Sequence, residues 1–272
     1  MADERVDSEI VTQFLLNTCR LSPRLTKHAV QAALRCAEIV TKHLPDDVEA
    51  DHIPLTTGSV AEFYIEPMLP CVGDIDVMHY QSNVLAIPQG HPPPTQLPAE
   101  FHDYVKVLEI INSHLPGYVY LKLRYLLTYC PQDEKYNYVE YDEEVYLANS
   151  SVHGTDSTCY TLRGPAHVRV YNRPSVLSVD DVACVRCLSW LPQAADWSTR
   201  HRSYDWPDSA TVDRVVNNGC DVVRVAHRQC RQHEWISKHQ CRLSFSRAEI
   251  VLINSWMPLQ QIVYHSLCYE FS

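Results

Sequence analysis

The chain has 272 residues, 46% of them hydrophobic, and a formal net charge of −10. That length allows one large domain or two lobes, and the acidic balance argues against a protein that coats nucleic acid unselectively, although a local basic face stays open. No apolar run reaches the roughly 18 residues of a membrane span, and the charged start MADERVDSEIV lacks an apolar signal region, so a cytoplasmic or nuclear protein with no membrane partner is expected.

Ser8 to Asn17 reads as a short helix with Ile10, Val11, Phe14 and Leu15 on one side. Ser22-Pro23 then reads as an N-cap with proline in the first turn. Leu25, Ala29, Ala32, Cys36 and Val40 recur at helical spacing up to Leu44, and Pro45-Asp46-Asp47 ends the run. Eleven cysteines, odd in number and scattered, are expected as reduced thiols.

The stretch from Thr56 to Tyr80 carries the chemistry. Gly58-Ser59 follows a strand end or turn, and its backbone N–H groups and hydroxyl suit a phosphate. After Gly73 come Asp74 and Asp76, separated by Ile75. On a strand the two acids share one face while Ile75 and Val77 take the other. Two carboxylates at that spacing repel each other and suit a shared divalent cation.

Further on, Asn83 to Ile87 reads as a strand and the segment from Gln89 to Pro94 as a loop. Tyr118 to Thr128 reads as a strand, and Glu140 to Glu144 as a solvated acidic run. Ala166 to Tyr171 reads as another strand. In Val176 to Val185 a β-branched run is interrupted by Asp180 and Asp181. A buried strand does not carry acids without a reason. Adjacent residues face opposite ways, so only one of the pair can meet Asp74 and Asp76.

Leu191 to Pro207, rich in Trp, Pro, His and Arg, reads as a structured connection, and Thr211 to Asn218 as a short helix capped by Gly219. His227, Cys230, His233, His239 and Cys241 have ligand-type side chains, but their spacing fits no standard zinc finger. Zinc is not expected, and a helix with scattered polar residues is expected there instead. Ser244 opens a helix with Arg247, Ala248 and Glu249 in its first turn, and Gln260 begins one more.

Gly-Ser, two acids on a strand and a later strand acid resemble the nucleotidyltransferase superfamily. The tail Arg242-Leu243-Ser244-Phe245-Ser246-Arg247-Ala248-Glu249, with Leu252-Ile253-Asn254-Ser255-Trp256, resembles the Mab-twenty-one-like family and within it the cyclic GMP–AMP synthase-like receptor branch. The resemblance runs from the first helix to the last residue.

It implies an α+β, two-lobed nucleotidyltransferase fold. Residues 1–225 would form the nucleotidyltransferase domain, a mixed twisted sheet with Asp74, Asp76 and Asp180 on one edge and a long N-terminal brace helix. Residues 226–272 would start a helical, helix-hairpin-helix-like C-terminal lobe. The family register selects Asp180 over Asp181. Asp74, Asp76 and Asp180 would then be catalytic and hold Mg²⁺ or Mn²⁺. Thr57, Gly58 and Ser59 would hold the triphosphate, and Arg242, Ser244, Ser246 and Glu249 would face the nucleotide. ATP and GTP are the implied substrates, a cyclic dinucleotide the product, and double-stranded RNA or DNA the kind of activator. The alternative is a non-catalytic nucleotide-binding or scaffold protein of the same family. Family members continue for several helices past Trp256, so the C-terminal lobe is expected to be truncated, with self-association and slow turnover as consequences.

Overall fold

The computed structural model describes residues 52–58, 74–149, 161–163, 166–171, 177–202, 206–230, 232–257 and 260. The expected helices in 8–17 and 22–44, and most of the one from Gln260, lie outside the described residues.

Among the described residues ten strands make one mixed sheet. They are β1 (His52–Thr57), β2 (Asp74–Pro88), β3 (Tyr104–Asn112), β4 (Tyr118–Cys130), β5 (Lys135–Glu140), β6 (Thr161–Arg163), β7 (Ala166–Tyr171), β8 (Leu177–Cys187), β9 (Cys220–Val223) and β10 (Gln240–Ser244). Their order is β1-β2-β3-β4-β10-β9-β8-β7-β6, with β5 beside β4 and a further pairing of β2 with β8. That pairing joins β2, β3, β4, β10, β9 and β8 into a closed circuit. β2 runs parallel to both β3 and β8, and the remaining neighbours are antiparallel. Four short helices complete the described chain: α1 (Ala195–Thr199), α2 (Ser209–Asn218), α3 (Glu234–His239) and α4 (Ser246–Asn254). A mixed sheet with few helices is an α+β fold.

Composition explains the strands. β3 and β4 alternate apolar and polar residues, which buries Val105 and Val107 on one strand and Val119 and Leu121 on the other. The alternation breaks where the register shifts. Between Tyr80 and Leu85 the β2–β8 ladder slips, and between Val107 and Leu108 the β3–β4 ladder slips. An extra residue reverses which side chains face which way. Met78, Tyr80, Leu85, Ile87 and Val107 therefore share one apolar cluster, while Val84, Ala86, Leu108 and Ile110 join the other. From Val84 to Ile87 every residue is buried, as in a strand covered on both faces.

β10 lies beyond residue 225, where the sequence reading begins the C-terminal lobe, and it is a strand of the sheet between β4 and β9. The region read as a polar helix from His227 to Cys241 consists of a single 3-10 turn, the short α3 and that strand. The acids were expected at an edge of the sheet. Asp76 and Asp180 lie inside it: Asp76 is paired with Thr57 on one side and Asp180 on the other, and Asp180 with Asp76 and Val168.

The described cysteines carry free thiols. Burial pushes the Cys241 thiol up to about 12, and burial together with the nearby Asp221 raises that of Cys184 well above its ordinary value. Among the described residues no helix is long and apolar enough to cross a membrane.

Candidate active site

β1 and β2 pair so that Thr57 stands opposite Asp76. The Thr57 side chain is buried and its hydroxyl donates to the Asp76 carbonyl at 3.4 Å. Gly58 follows with φ +64°, a conformation that favours glycine. A Cβ there would stand 2.1 Å from Asp76 Oδ2 and 2.9 Å from Cγ. The Gly58 backbone thus lies directly against the Asp76 carboxylate. Ser59 lies outside the described residues.

β2 and β8 run parallel, with Asp76 opposite Asp180 and Asp74 opposite Ser178. Paired positions in a parallel ladder present side chains to the same face, so Asp76 and Asp180 face the same way. Only the backbone of Asp74 is described. Two carboxylates presented to one face repel each other, and a shared divalent cation is one group that can offset that repulsion. Asp181 stands opposite Val77, on the other face. It is buried, and its Oδ1 lies 2.5 Å from His79 Nδ1.

The tail residues divide. Ser244, at the end of β10, reaches Met78 Sδ at 3.8 Å and Ser246 Oγ at 3.2 Å. Met78 is two positions along β2 from Asp76, which puts Ser244 and Ser246 on the Asp76 side of the sheet. Arg242 stands opposite Val223 and is exposed. Glu249, in the first turn of α4, opens onto a cavity of about 380 Å³ bounded by Trp190, Trp197, Arg200, Phe245 and Leu252.

Behind the serines is a buried ionic group that the sequence reading missed. Asp221 on β9 is fully buried, and Arg247 Nε donates to its Oδ2 at 2.7 Å. The same guanidinium lies 5.3 Å from the centre of the Tyr80 ring. Arg186 donates to the carbonyls of Cys187 at 2.8 Å and Cys220 at 2.9 Å, and to that of Asn218. Burial first, then the Arg247 charge, pulls the Arg186 guanidinium below its ordinary value. An acid inside the apolar run Cys-Asp-Val-Val was the available signal. It is the signal that marked Asp180, but four residues are too few to stand out as a strand.

His227, Cys230, His233, His239 and Cys241 do not gather at one point. His239 stacks on Trp235 at 4.8 Å, and Cys241 is buried in β10. Among the described residues no three His, Cys, Asp or Glu side chains converge on a point that could hold a metal. The Asp74 side chain lies outside the described residues.

Residues 148–255 match the family model of the Mab-21 protein nucleotidyltransferase domain. Over that stretch, 108 of the 272 residues, the chain is similar to a Mab-21 nucleotidyltransferase domain. The match includes Asp180 and the whole tail motif from Arg242 to Glu249; Thr57, Gly58, Asp74 and Asp76 precede it. No curated protein matches the chain.

Proposed function

We propose that the chain is a metal-dependent nucleotidyltransferase of the cyclic GMP–AMP synthase-like kind, joining ATP and GTP into a cyclic dinucleotide. The observation that carries this reading is the register that sets Asp180 beside Asp76, with the Gly58 backbone against the Asp76 carboxylate.

Hard carboxylate oxygens suit Mg²⁺ or Mn²⁺, and close approach of a bare backbone leaves room for a triphosphate. Asp74, Asp76 and Asp180 would hold the ion. Bound there, it would lower the pKa of a ribose hydroxyl and neutralise charge on the leaving pyrophosphate. Thr57, Gly58 and Ser59 bind and orient the triphosphate. The Asp180 carboxylate orients the attacking hydroxyl and accepts its hydrogen bond. Ser244 and Ser246 offer hydroxyls on the same side of the sheet, and Arg242 and Glu249 extend the nucleotide surface. Duplex RNA or DNA is the activator class.

The test is incubation of the purified 272-residue chain with labelled ATP and GTP and Mn²⁺, with and without duplex RNA or DNA. A phosphatase-resistant cyclic product, lost in Asp76→Asn and Asp180→Asn, supports the reading. Binding of Mn²⁺–ATP without product supports the scaffold alternative. Absence of nucleotide binding sinks both.

A further inference from the structure

Asp181 and His79 lie on the face of β2 and β8 opposite Asp76 and Asp180. Their side chains are 5% and 17% exposed, and Oδ1 and Nδ1 are 2.5 Å apart. With the carboxylate as acceptor, Nδ1 is the donor of this bond. In the ladder Asp181 pairs with Val77 and His79 with Ala183, so the bond runs diagonally across the two strands.

Strand pairing alone does not need these residues. Elsewhere on the two strands the same kind of position is filled by Val77, Val179 and Val185, all buried. A buried carboxylate is costly unless it is partnered. Here the partner comes from the other strand, immediately behind the acids. Asp180 and Asp181 share a backbone, so any twist of β8 that carries Asp181 away from His79 swings Asp180 away from Asp76.

We propose, resting on the reading of Asp76 and Asp180 as a metal–nucleotide site, that His79 and Asp181 are positioning residues: a clasp that holds Asp180 in register with Asp76 against their mutual repulsion.

The measurement is Mn²⁺–ATP binding to the full chain by water-proton relaxation, with thermal unfolding run alongside. His79→Leu and Asp181→Leu should each weaken binding about tenfold, the scale on which outer partners of metal ligands act. Combined, they should lose little more than either alone. His79→Gln, which retains a side-chain N–H donor, should recover most of the loss. A role in packing alone would move Gln and Leu alike, and that result overturns the clasp. So does wild-type binding in a folded His79→Leu protein. Should the leucine variants not fold, His79→Asn keeps a donor too short to reach Asp181, and undiminished binding in it has the same consequence. Asp76→Asn separates the two ideas. If wild type and Asp76→Asn bind Mn²⁺–ATP alike, the site reading fails and the clasp falls with it. If only Asp76→Asn loses binding while the His79 variants keep it, the site stands and the clasp does not.

Discussion

Gly58 and Gly219 have the same φ, +64°, and different neighbours. A Cβ on Gly58 would press on the end of a side chain, Asp76 Oδ2, whereas one on Gly219 would meet the Cys187 carbonyl oxygen at 2.2 Å and the Leu188 carbonyl carbon at 2.8 Å. A side chain can turn aside, but a strand backbone cannot. Gly58→Ala is therefore expected to fold with a loss of about 1–3 kcal/mol from the strained backbone and to displace the Asp76 carboxylate, abolishing Mn²⁺–ATP binding. Gly219→Ala is expected to cost more stability and, where folded, to bind normally. Urea unfolding and a binding titration on both variants check the contrast. Equal effects on binding would remove Gly58 from the site.

α4 sits on the sheet through one ion pair and its apolar side. It packs on α2 and β9 and touches β1, while Arg247 in its first turn reaches the fully buried Asp221. Removing one member of a buried pair strands the other charge, at about 3–5 kcal/mol. Arg247→Met should lose that much, and Asp221→Asn less, since a neutral amide is easier to bury. Because α4 carries Ser246 and Glu249, the surviving folded Arg247→Met protein should also bind nucleotide more weakly. Chemical denaturation of the two variants decides. A loss below about 1 kcal/mol in Arg247→Met would reduce the pair to the level of a surface contact.

At the scale of the whole molecule, the closed circuit of strands joins distant parts of the chain. β10 supplies the strand between β4 and β9. A chain ending at residue 225 would leave both neighbours with bare edges, which template aggregation. Residues 1–225 alone are expected to be insoluble or to lack a cooperative thermal transition, as circular dichroism would show. A stable, cooperatively folding 1–225 fragment would mean that β10 adds nothing the sheet requires.

Local pattern determined part of this protein. The alternation in Asp74-Ile75-Asp76 marked a strand with its acids on one face, the apolar stretch around Asp180 marked another, and Asn218-Gly219 marked a helix end; β2, β8 and α2 are there. The tail motif from Arg242 to Glu249 was legible because its residue types sit at fixed spacing, and residues 148–255 match the family that carries it. What local pattern could not show was which strands pair, and only the family resemblance put Asp180 with Asp74 and Asp76. The β2–β8 ladder, and with it the placing of Asp180 against Asp76 and of Asp181 against His79, joins segments about a hundred residues apart. The register slips after Tyr80 and Val107, the seating of β10 inside the sheet and the burial of Asp221 under Arg247 likewise exist only once the sheet has closed. A side chain's face follows from its own strand, but its neighbours follow from the strands beside it, and long-range backbone pairing chooses those.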